Sequence, residues 1–168
     1  MRKLIFILSL FFLMSCSKGI WITEGRYRPK NPNFSLAKKE FVKSDWINSE
    51  FLYVSKKKTE NYDGKILYSV TGFLNDGRMI GNTIVEQNFS EEINATNSWE
   101  TASSIGYYRV SGNQIEMQFF VPTDGGLYET RKGIVKKDTI ILEQKINKLV
   151  SSEMRYDTLV KSQYRLKY

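Results

Sequence analysis

The chain has 168 residues and is basic, with 25 Lys and Arg against 18 Asp and Glu, and it contains one cysteine and no histidine. The absence of histidine excludes a Ser–His–Asp triad, a Cys–His pair and imidazole metal sites. Carboxylate-pair or lysine chemistry remains available, but the acidic residues lie mainly in turns or beside basic ones. We expect a protein that is not an enzyme and holds no cofactor or metal. A single cysteine also allows no disulfide within the chain.

The N-terminal segment has the order of an export signal. Two basic residues precede an apolar run over residues 4–14, and Ser15 and Cys16 follow at once. The run is too short for a transmembrane helix, which needs about 20 apolar residues. Leu13-Met14-Ser15-Cys16 resembles the lipobox of bacterial lipoprotein signal peptides. An ordinary secretory signal with a coincidental cysteine is the alternative.

The lipobox resemblance implies where the protein is located. It implies a cleaved signal peptide over residues 1–15, acylation of Cys16, and a membrane partner reached through the lipid anchor. Ser17 follows the cysteine, where an Asp would indicate inner-membrane retention in enteric bacteria. The sequence thus favours the outer membrane and leaves its periplasmic and surface faces open.

Residues 16–45 are predicted to be a basic, flexible tether. Between residues 17 and 44, seven basic side chains oppose two acidic ones, and Pro29 and Pro32 disfavour a packed element. A coil of this length spans about 30 Å on average, and it is either a solvated linker or a strap on anionic head groups. Residues 45–168 carry sixteen basic and sixteen acidic side chains. Because this part is neutral, no nucleic-acid partner is expected.

The clearest element of the body is a hairpin over residues 106–121. A two-residue loop at Gly112-Asn113 pairs Val110 with Ile115 and Tyr108 with Met117. Facing residues share a side of the sheet, so an apolar face runs through both strands and an Arg109–Glu116 charge pair is expected on the other face.

A second hairpin is predicted to turn at Asn75-Asp76-Gly77-Arg78. The predicted register pairs Leu74 with Met79, Val70 with Thr83 and Tyr68 with Val85, and it places Gly72 opposite Gly81. Opposed glycines within strands are typical of a sharp bend.

Further β-rich runs bring the total to about eight strands over residues 46–168, with a polar segment at 87–102 that suits a short helix. Sequential hairpins favour an all-β, antiparallel up-and-down barrel, and an antiparallel β-sandwich is the alternative. Phe51-Leu-Tyr-Val, Asn-Asp-Gly-Arg, Tyr-Arg-Val-Ser-Gly-Asn-Gln-Ile-Glu-Met and Gly-Ile-Val-Lys-Lys-Asp-Thr-Ile-Ile-Leu follow one another in this region. This order resembles lipocalin-like lipoproteins of Bacteroidetes.

Two functions are compatible with such a barrel. In the first, the lumen binds a small apolar or amphipathic ligand; the predicted lumen residues are Tyr68, Val70, Tyr108, Met117 and Phe119. In the second, side chains fill the barrel and the outer face or loops contact another envelope protein, because an eight-stranded barrel has room for a packed core or one small ligand.

The lipid anchor is tested by replacing its sulfur. We expect Cys16→Ser to move the protein from the membrane fraction to the soluble fraction, because no acyl chain can then be attached. Unchanged membrane fractionation with the signal still cleaved would contradict the anchor.

Overall fold

A computed structural model of the chain describes residues 19–23, 26–29, 32–89, 91, 93, 98–122, 126–147 and 152–166. The predicted signal peptide and Cys16 lie outside the described residues. No helix of the described part is long and apolar enough to cross a membrane.

The described residues form ten β-strands. They are β1 Gly19–Thr23, β2 Arg26–Pro29, β3 Phe51–Glu60, β4 Ile66–Phe73, β5 Arg78–Val85, β6 Ser104–Ser111, β7 Gln114–Val121, β8 Leu127–Lys136, β9 Thr139–Asn147 and β10 Ser152–Arg165. Short 3-10 turns lie at Leu36–Lys38 and Glu86–Asn88. Strands β1 and β2 form a two-stranded sheet, whereas β3 to β10 form a closed antiparallel barrel in which β10 pairs with β3. The predicted eight-stranded up-and-down barrel is confirmed, and the sandwich is not found.

The β6–β7 hairpin has the predicted register. Tyr108 lies opposite Met117, and Arg109 lies opposite Glu116. The predicted charge pair does not form, however, because Glu116 makes its ion pairs with Lys39 at 3.1 Å and with Lys132 at 3.9 Å. The Arg109 guanidinium instead donates hydrogen bonds to backbone carbonyls.

The predicted register of the β4–β5 hairpin is wrong by one residue. Phe73 pairs with Met79, and Gly72 faces Ile80 rather than Gly81. Residues 75–77 form a three-residue loop in which Gly77 has a left-handed φ of 84°. Such loops with a left-handed third residue are common in hairpins. The hydrophobic pattern could not exclude the wrong register, because next to the turn both faces are buried, over residues 70–73 of β4 and at Met79 and Ile80 of β5.

Buried apolar side chains occupy the interior of the barrel. An inner cluster of buried residues receives a side chain from every barrel strand, which only the inside of a closed barrel permits. Its members are Ile47, Tyr53, Phe73, Met79, Tyr108, Ile115, Met117, Val135, Ile140, Leu142 and Leu159.

A second core lies on the outside of the barrel. Residues of β3 to β7 that alternate with the inner cluster pack against chain segments that cross the outer wall. This outer cluster consists of Phe34, Leu52, Val70, Ile80, Ile84, Ile93, Ala102, Ile105, Phe120 and Leu166. The segment before β6 is fixed here by Asn82, whose side-chain oxygen accepts hydrogen bonds from the backbone and hydroxyl of Ser103.

The described part of the predicted tether packs on the barrel. Phe34 and Leu36 are buried, and Arg109 donates hydrogen bonds to the carbonyls of Leu36 at 2.7 Å and Lys39 at 2.5 Å. Arg28 of β2 is also buried and donates to the carbonyl of Trp99 at 2.8 Å. This differs from the flexible tether predicted up to residue 45. The composition of this segment is basic, but its buried apolar residues pack on the barrel. Hydrogen bonds from Arg28 within the segment and from Arg109 of the barrel hold it in place.

We expect Phe34→Ala to lower the free energy of unfolding by about 3–5 kcal/mol, the usual cost of removing a buried aromatic ring. Phe34 is 1% exposed and its ring lies 5.2 Å from that of Tyr128. The measurement is urea denaturation, with Val42→Ala as the control, since Val42 is 66% exposed. Equal stability of the two variants would contradict the packing of this segment.

Candidate binding cavity in the barrel

The inward side chains of three neighbouring strands become smaller along the barrel axis. Because alternate residues face inward, β4 presents Phe73, Thr71 and then Ser69. The same direction gives Met79, Gly81 and Thr83 on β5, and Tyr108, Gly106 and Ser104 on β6. Large side chains therefore fill one end of the interior, and small ones leave space at the other.

Aromatic rings pack the filled end. The Phe73 ring lies 5.3 Å from the ring of Tyr53 and 4.9 Å from that of Tyr108, both edge to face. The Tyr108 hydroxyl donates to the carbonyl of Leu74 at 2.9 Å, and the Tyr53 hydroxyl accepts from the backbone N–H of Asn48 at 3.1 Å. Burial raises the pKa of Tyr53, because the phenolate would lose its hydration.

A cavity of about 310 Å³ occupies the other end. Met79, Met117, Leu142 and Leu159 of the inner cluster form its apolar floor. Hydroxyl-bearing and charged side chains form its wall, namely Ser69, Thr71, Thr83, Ser103, Ser104, Glu129, Arg131 and Asp157. Its volume reaches the lower limit of small-molecule sites, about 300 Å³. One apolar floor below a polar wall suits an amphipathic molecule.

The predicted lumen residues are distributed over three places. Met117 and Phe119 line the cavity. Tyr108 faces inward but lies in the filled end. Val70 belongs to the outer cluster and also borders the cavity. Tyr68 lies on the outer face, where its hydroxyl donates to Glu86 at 2.7 Å. The wrong β4–β5 register explains the last two placements.

The surroundings of Glu86 change its proton affinity. Hydrogen bonds from the Tyr68 hydroxyl and from the Lys58 ammonium lower the pKa of this carboxyl group. Hydrogen bonds of the Lys58 ammonium with the Tyr68 hydroxyl and with Glu86 raise the pKa of Lys58. All three groups are on the outer wall, so they do not contribute to the cavity.

Three charged residues in the cavity wall were not predicted. Arg131 donates from Nε and Nη2 to Oε2 of Glu129 at 3.2 and 2.9 Å, and its Nη1 lies 3.8 Å from Oδ2 of Asp157. The Ser55 hydroxyl donates to Oδ1 of Asp157 at 2.6 Å. Alternation along β8 and β10 could have placed these residues inward, but the many charges on both strands concealed that signal.

The outer wall carries a separate groove of about 370 Å³ on β6 to β9. Its walls include Arg109, Glu116, Lys132 and Glu143. Charged side chains of both signs therefore line this groove.

No protein-family model, curated protein or solved structure matches this chain. Among the described residues there is no group of three or more Asp, Glu, Cys or His side chains able to hold a metal ion. The cavity must therefore be interpreted from its own chemistry.

We expect Arg131→Met to lower the free energy of unfolding by about 1–2 kcal/mol at neutral pH, because two partly buried carboxylates lose their shared cation. Urea denaturation measures the stability of both variants. Lys132→Met is the control, because the neighbouring Lys132 side chain is 72% exposed. A loss of stability no larger than that of Lys132→Met would contradict the electrostatic role.

Proposed function

We propose that this protein is a lipid-anchored protein of the bacterial envelope whose lipocalin-like barrel binds a small amphipathic molecule in its lumen. The cavity of about 310 Å³ is the observation that carries the ligand-binding part. The order of residues 1–16, with Cys16 as the only cysteine, supports the anchor. The outer membrane remains the proposed location.

The folded part would lie close to the membrane. Only Ser17 and Lys18 separate Cys16 from β1, which begins at Gly19. Three residues reach about 10 Å when extended. Because Arg28 of β2 bonds to the Trp99 carbonyl on the barrel, this short connection limits how far the barrel can move from the bilayer. The basic residues after Cys16 would then lie near anionic head groups.

A second candidate function is binding of another envelope protein on the outer wall. The groove on β6 to β9 and the exposed rings of Tyr128 and Tyr156, 42% and 64% exposed, favour it. The Tyr107 ring is less exposed, because it packs against Phe34 and Trp99.

A lumen-blocking pair of variants separates the two functions. We expect saturable binding of a small hydrophobic fluorophore to the parent, loss of binding in Met117→Trp, and parental binding in Met154→Trp. Met117 lines the cavity, whereas Met154 is 48% exposed outside it. Fluorescence titration gives the dissociation constants, and circular dichroism verifies that each variant folds.

Gly81→Leu is the second blocking variant, since an added Cβ there meets Ser104 at 3.4 Å and the space beyond is the cavity. It fills the lumen without removing a side chain. Binding that survives in both folded blocking variants, or no binding to the parent, would contradict a lumen ligand.

A further inference from the structure

The cavity has an uneven balance of charge. Among the described residues, the charged side chains that line it are Glu129, Arg131 and Asp157, so one cation opposes two anions. Their side chains are 29%, 20% and 19% exposed, respectively. At such partly buried positions, charges interact more strongly than in bulk water. The wall therefore carries a net negative charge toward the lumen. Arg155, the next inward position of β10 toward this end, is exposed and is not part of the cavity wall.

Each carboxylate keeps one oxygen without a hydrogen bond from the described residues. Arg131 occupies Oε2 of Glu129, and Ser55 occupies Oδ1 of Asp157. Within the part of the chain that the structure describes, Oε1 of Glu129 accepts no hydrogen bond, and Oδ2 of Asp157 is approached only by the guanidinium, at 3.8 Å. These two oxygens are acceptors, so they suit a ligand that donates hydrogen bonds. The guanidinium is held between both acids and lies over the Phe119 ring at 5.0 Å.

We infer that the lumen selects a small molecule with a protonated amine at its polar end and an apolar body, and that it discriminates against a carboxylate of the same shape. This inference rests on the proposed lumen function and specifies its ligand class. The ammonium lies at the wall formed by Glu129 and Asp157, and the apolar body contacts Met117, Leu142 and Leu159. The cavity of about 310 Å³ lies at the lower limit of small-molecule sites, about 300 Å³, which favours a compact ligand.

Methionine methyl groups provide the readout. Met79 and Met117 line the cavity, and Met154 lies outside it; Met1 and Met14 belong to the predicted signal peptide. The purified full chain is labelled with ¹³C at the methionine methyls and titrated by NMR. The probes are cyclohexylmethylamine, cyclohexylmethanol and cyclohexanecarboxylate, which share a ring and differ in their polar group.

We expect the amine to shift the signals of Met79 and Met117 saturably without moving that of Met154. The amine should bind roughly tenfold more tightly than the alcohol, the advantage of a charge-assisted hydrogen bond. The carboxylate should bind more weakly than the alcohol. Asp157→Asn and Glu129→Gln should each reduce the amine's advantage over the alcohol. Glu143→Gln removes an exposed carboxylate of the outer wall. This variant should leave the amine's advantage in affinity over the alcohol unchanged.

The outcomes separate the two claims. If the alcohol or the carboxylate shifts the lumen methyls as tightly as the amine does, the ligand class is overturned and the lumen function stands. If none of the three probes moves Met79 or Met117, both claims are overturned. An amine preference that persists in a folded Glu129→Gln/Asp157→Asn double variant also overturns the inference.

Discussion

The constraint on which the structure depends is the decrease in side-chain size along the inside of the barrel. Eight strands enclose an interior that one set of large side chains can fill. From Phe73 to Ser69 on β4, and from Tyr108 to Ser104 on β6, the inward residues shrink from aromatic to hydroxyl-bearing. The aromatic end supplies packing energy, and the other end contains the cavity. The aromatic side chains that stabilise the fold and the residues of the candidate site therefore lie at different ends of the same lumen.

The outer wall of the barrel is also partly a core. Buried residues on the outside of β3 to β7 pack against Phe34, Ile93, Ala102 and Leu166, which come from chain segments outside the strands. Arg109 bonds to the carbonyls of Leu36 and Lys39 and so holds the N-terminal segment against the wall. Burial lowers the pKa of Arg109, yet the guanidinium remains charged at neutral pH because the ordinary pKa of arginine lies far above neutrality.

The eight-stranded barrel could be predicted from the sequence, and so could the cavity residues Met117 and Phe119. The charged residues of the cavity wall could not. The Gly112-Asn113 turn fixed the β6–β7 register, because a slip would have exposed the apolar face of Met117. The β4–β5 register was mispredicted since Ile80 and Met79 are both buried, on opposite sides of the wall. Alternation cannot identify the inner face where both faces are apolar. Glu129 and Asp157 were missed because a charged residue in a strand ordinarily faces solvent.

The central claim is that one end of the lumen is packed and the other contains a cavity. The most direct test measures thiol accessibility at two inward positions of β9. Leu142 and Ile140 are 2% and 0% exposed, but only Leu142 lines the cavity. In a chain carrying Cys16→Ser, either residue replaced by cysteine gives a unique thiol, because Cys16 is the only natural one. A small thiol reagent should modify Leu142→Cys in the folded protein and should modify Ile140→Cys only as fast as the protein unfolds. Equal protection of both thiols would show that the lumen is filled throughout and would contradict the account.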